Sequence, residues 1–194
     1  MLSRFNCQRI SSTLGMFSPE FCHNPLLTCT STIREIPDHQ EVYLDRDGFS
    51  SITFDILERV TDLPNDEAAL IYHLLDLTDD TDVLCVGNIT SIDSPHLLTP
   101  NLSLLASTKP EKNKDGGKDF TVLHLLLYRL EMQETDILIS VNIPYRGTQF
   151  TGEIVDLEPS TLSNATDDSL ELGFEVAKAI VQSFDIQDWG LFVE

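Results

Sequence analysis

Positive charge is scarce in this sequence. Against 32 aspartates and glutamates stand 12 lysines and arginines, giving a net charge of -20 over 194 residues. Such a surface repels phosphates at range, which argues against nucleic acid and favours a basic protein partner; solubility is the plainer use of the same charge. Cysteine is sparse too. Cys7, Cys22, Cys29 and Cys85 form no CxxC pair and share no metal-ligand spacing with the 5 histidines, so no metal site is predicted. A reducing compartment is the default, with Cys22 to Cys29 the one spacing that could close a small disulfide loop. No apolar run approaches the ~18 residues of a membrane span. A glycine-rich phosphate loop, a GxSxG elbow and HExxH are all missing, so the sequence names no catalytic residue and no cofactor.

What is present is a globular composition, 41% hydrophobic, long enough for one domain with a substantial core. The front differs from the rest. Residues 1–19 hold Arg4, Arg9 and four serines with no acid before Glu20, which is presequence-like, although an unstructured leader explains it as well. Residues 19–31 carry two prolines and little periodicity, and read as irregular chain. The expected division is a divergent or disordered segment over 1–28 and a single domain over 29–194.

Within that domain, Val42 to Leu44 predict a strand, and Asp45-Arg46-Asp47-Gly48 a turn. Ile52, Ile56 and Val60 recur every four residues with Leu57 beside them, so a helix is expected from Ser50 or Ser51 to about Val60. A second helix is expected from Asp66 to about Leu77, with Leu70, Ile71, Leu74 and Leu77 as its buried stripe and His73 as a packed flank residue. Strands follow over Val83 to Ile92 and Leu97 to Ser107, then a lysine-rich, solvated hairpin-like loop over Lys109 to Asp119. Phe120 to Leu130 is apolar on both faces and reads as a central strand; the short connection to Asp136–Pro144 makes that pair antiparallel. Residues 145–165 predict a long surface connection. A last helix begins near Thr166 or Asp167, burying Leu170, Phe174, Ala177, Val181 and Phe184. Helices interleaved with a sheet whose middle strand is covered twice predict an α/β/α sandwich with a central, mostly antiparallel sheet.

The stretch Thr32 to Leu44 concentrates polar side chains behind a proline. Pro37 fixes its own φ and pushes Ile36 out of the helical region, so Asp38, His39, Gln40 and Glu41 are expected on display at a rigid turn feeding a strand. Asp38 and His39 are neighbours in extended chain and point apart, which spoils a relay. Glu35, Asp38 and Glu41 could serve acid–base chemistry, but acids on a surface turn are ordinarily just solvated. Binding asks less: a carboxylate pair receives a lysine or arginine of a partner, with Arg34 and Gln40 beside it. Since exposed pairs contribute ~0 to 1 kcal/mol each, an apolar anchor such as Ile36, Val42 or Tyr43 is also needed.

Thr32-Ile-Arg-Glu-Ile-Pro-Asp-His-Gln-Glu-Val-Tyr43 resembles the signature of the small Mog-type nuclear import factors that bind the GTPase Ran. Tyr72-His73 with Asp76-Leu77, Leu127-Tyr128-Arg129-Leu130, Thr135-Asp136 through Pro144, and Ser183-Phe184-Asp185-Ile186 with Asp188-Trp189 and Leu191-Phe192 are similar to the same family. The resemblance covers residue 32 to the end. It implies a Mog/PsbP-like fold, a monomer, Ran as partner with a Ran exchange factor as a further candidate, promotion of guanine nucleotide release without covalent chemistry, and residence in nucleus and cytoplasm. It also implies that Asp38 and Glu41 carry Ran binding, with Arg34 and Gln40 as neighbours. The family begins with a Gly-Gly-containing strand ahead of this motif, and residues 1–28 show no such strand. A PsbP-like organellar structural protein and a hydrolase built on the acidic cluster are the alternatives.

Overall fold

Apolar side chains on both sides of an extended chain can be satisfied only by a covered strand, and in the computed structural model the segment ending at Leu130 lies in the middle of the sheet. The structure describes residues 27–29, 37, 39–45, 50–78, 83–97, 101–108, 111–112, 118–145, 168–186 and 189–192. In chain order these form β1 (Leu27–Cys29), β2 (Gln40–Asp45), β3 (Ser51–Glu58), α1 (Asp66–Leu77), β4 (Val83–Val86), β5 (Thr90–Ser91), β6 (Asn101–Thr108), β7 (Glu111–Lys112), β8 (Lys118–Leu130), β9 (Thr135–Tyr145) and α2 (Asp168–Ser183). Short 3-10 turns cover Glu131–Gln133 and Trp189–Phe192. The strand order is β1-β2-β3-β9-β8-β6-β4, with β5 beside β6 and β7 beside the start of β8, and the pairings are antiparallel.

The period of two sorts β8 onto two cores. Val122, Leu126, Tyr128 and Leu130 join Ile52, Phe54, Ile139 and Val141 on the side covered by Ala177 and Ile180 of α2. Leu123, Leu125 and Leu127 join Leu104, Ala106 and Leu138 on the side covered by Ala69, Leu70 and Leu74 of α1. This is an α/β/α sandwich, as expected. The α1 helix spans the expected residues: Asn65 caps it by accepting from the Ala68 amide at 2.8 Å, and Asp66 and Glu67 place negative charge at the positive end of its dipole. The other helix, α2, approaches so closely that a Cβ on Gly173 would sit 1.9 Å from Ile143 Cδ1.

Several expectations fail. Residues 51–58 are strand, not helix, paired to β2 on one side and β9 on the other. A four-residue spacing is one helical turn but also two strand repeats, and here Thr53 and the buried Phe54 complete the alternation that pairing rewards. Leu27–Cys29 pair with Tyr43–Asp45, so the stretch before the motif does supply a first strand, one too short to show periodicity. The run from Val83 breaks at Gly87, whose amide donates to the Leu105 carbonyl at 2.8 Å, and resumes only as the short β5. Leu77, expected in the buried stripe of α1, is 39% exposed at the last residue of the helix. The leader, the turn at 46–48, the connection over 146–165 and the caps Thr166 and Asp167 lie outside the described residues.

Candidate protein-binding site

The proline turn leads into β2 as its sequence requires. The Gln40 amide donates to the Pro37 carbonyl at 3.1 Å, closing the turn, and the Ile56 amide donates to the His39 carbonyl at 2.8 Å, so pairing with β3 starts before β2 proper. Pro37 and His39 are exposed. Gln40 is half-buried and donates its side-chain Nε2 to Asp55 Oδ1 at 2.7 Å, across the register pair Gln40 and Asp55. Asp55 itself is buried. Burial raises its carboxyl above the ordinary value, and the Gln40 bond and the imidazoles of His39 and His73 oppose that rise.

Glu41 departs from the expectation of display. It follows Gln40 in extended chain, so it points to the other side of the sheet, the α2 side, with Tyr43 and its register partner Phe54. Only 2% of it is exposed. Burial pushes its carboxyl up to about 7 from 4.5, with the Tyr43 hydroxyl opposing. The motif is therefore divided: Gln40 faces the α1 side, Glu41 the α2 side, and they form no shared cluster. Val42 and Tyr43, expected as apolar anchors, are committed to the interior at 8% and 5% exposure. Arg34, Ile36 and Asp38 lie outside the described residues.

Beside Asp55, on the α1 side, sits a polar group that sequence reading did not assemble. Asp136, fully buried in β9, accepts from His73 Nε2 at 3.0 Å, from Arg129 Nε at 3.0 Å and from the Val60 amide at 3.1 Å. Burial alone would raise this carboxyl, but those bonds hold it below the ordinary carboxylate value. Arg129 also binds Asp66 at the start of α1 and the Val60 carbonyl. The cluster thus pins α1, the β8–β9 hairpin and the end of β3 together. The available signal was Arg129 itself, a cation inside an apolar strand, which must find a buried partner. With His73 and Arg129 both engaged on one carboxylate, the arrangement is a structural clamp. Among the described residues there is no group of three or more His, Cys, Asp or Glu suited to a metal, and no helix long and apolar enough to cross a membrane.

Known proteins share this fold. A family model described as "Ran-interacting Mog1 protein" matches residues 26–144. A Dictyostelium discoideum protein named "Probable ran guanine nucleotide release factor" is 27% identical over 173 residues, 84% of this chain and 86% of that protein. The nuclear import protein MOG1 of Saccharomyces cerevisiae is 30% identical over 125 residues, 59% of this chain and 56% of its own. The crystal structure of the Saccharomyces cerevisiae Ran-binding protein Mog1p superposes with a TM-score of 0.60 at 27% identity, covering 87% of this chain and 90% of that one. The match takes in the turn, β2 and the sheet through Pro144, and the chain belongs to the family of Ran-interacting Mog1 proteins.

Proposed function

We propose that this chain binds Ran and promotes release of its guanine nucleotide, serving nuclear import as a regulatory factor in nucleus and cytoplasm. The observation that carries the reading is the family match over 26–144, which includes the proline turn and the strand it feeds. No covalent step is required. A factor that binds the nucleotide-poor GTPase more tightly than the loaded one weakens the nucleotide by the same factor, and a tenfold effect takes about 1.4 kcal/mol of differential binding. Asp38 and Arg34 supply direct polar contacts at the turn. Gln40, tied to Asp55, and Glu41, inside the sheet, fix where that turn stands. The net charge of -20 speeds encounter with a basic surface, so association slows as salt is added.

The test is release of a fluorescent guanine nucleotide from loaded Ran. Added chain accelerates it, and Asp38→Lys removes the acceleration without shifting the thermal midpoint. Release at the intrinsic rate under saturating wild-type chain overturns the reading.

A further inference from the structure

An interface made only of polar groups at the turn is short of apolar area, because affinity concentrates in a few desolvated side chains. The α1 helix offers what the turn lacks. Its inner face is buried through Ala69, Leu70, His73 and Leu74, and an amphipathic helix would carry polar residues opposite. Instead Tyr72 and Leu75 point outward at 50% and 47% exposure, with the half-buried Ala68 and Ile71 preceding them at helical spacing. The Tyr72 ring is braced edge-on by His73, with ring centroids 5.8 Å apart.

The rim of this stripe is of one sign. The helix carries no lysine or arginine; its acids are Asp66, held by Arg129, and the exposed Glu67 and Asp76. An apolar centre with an acidic rim fits a basic surface that carries an apolar side chain. Position argues for the same partner as the turn: Gln40 bonds Asp55, whose register partner Leu138 stands two residues along β9 from Asp136, the acceptor of His73, so the foot of the turn and α1 lie on one side of the sheet.

We propose that the outer face of α1, centred on Tyr72 and Leu75, is a second contact for the GTPase engaged at the turn, receiving a basic segment with an apolar side chain. The inference rests on the Ran reading and adds the apolar half of that interface. Calorimetric titration of nucleotide-free Ran into the full chain tests it. Tyr72→Ala combined with Leu75→Ala weakens binding by about tenfold or more at an unchanged thermal midpoint, and Asp76→Lys slows association. Unaltered affinity of the double variant overturns the second contact and leaves the turn reading standing, whereas failure of the wild-type chain to bind Ran overturns both. Should the double variant unfold, a photo-crosslinking residue at position 72 decides: it couples to Ran if the contact exists, and exclusive coupling to a second copy of this chain, or to nothing, overturns it.

Discussion

Replacing Glu41 by glutamine should stabilise the protein at neutral pH. In the folded chain the carboxyl holds its proton up to about 7, against an ordinary 4.5. Below pH 4.5 it is protonated in both folded and unfolded chains and has no effect on their balance. As pH rises from 4.5 the unfolded chain ionises freely while the folded chain resists, so stability is lost across the window up to about 7 and is level above it. The difference, 7 minus 4.5, at about 1.4 kcal/mol for each tenfold, is on the order of 3 kcal/mol. Because only 2% of the residue is exposed, solvent does little to screen the effect. Glutamine has the same shape and never ionises. Urea unfolding of wild type and Glu41→Gln at pH 4 and pH 8 isolates this group, since all others titrate alike in both. The two proteins should match within about 0.5 kcal/mol at pH 4, with the variant ahead by roughly 2 to 3 kcal/mol at pH 8. A gap that does not change with pH would refute the reasoning, whatever its size.

Other expectations follow from the clamp and the close helix approach. Asp136→Ala leaves Arg129 short of a buried counter-charge and should cost about 3 to 5 kcal/mol in chemical denaturation. Asp136→Asn should flatten the acid limb of the stability curve: the depressed carboxyl contributes stability above its unfolded value that wild type loses as pH falls through the folded one. Gly173→Ala should lower the thermal midpoint, with overpacking of about 1 to 3 kcal/mol exceeding alanine's helical advantage; Ile143→Val, which deletes the clashing Cδ1, should recover most of it. Asp38→Lys should abolish Ran capture in a pull-down while melting as wild type does, and retained capture would remove Asp38 from the interface.

The legible parts of the fold were those where period and length agreed. Phe120 to Leu130 within β8 set leucines and valine on both faces, too long and too regular for anything but a central strand, and α1 has both a cap and a stripe. Residues 51–58 are ambiguous because Ile52 and Ile56 satisfy a helix and a strand equally; only pairing with β2 and with the distant β9 decides. The site was legible as a motif but not as a geometry. Strand alternation, applied to Asp38 and His39, applies equally to Gln40 and Glu41, and carried one step further it would have placed Glu41 inside. The clamp was invisible for another reason: His73 and Asp136 are 63 residues apart, and only the packing of α1 against the sheet brings them to 3.0 Å.

Release by differential binding requires a preference for Ran without nucleotide, which affinity for Ran in empty, GDP-bound and GTP-bound states measures. Binding to empty Ran should be at least about tenfold tighter than to a loaded form. Equal affinity for all three would leave no differential binding to drive release, and would contradict it.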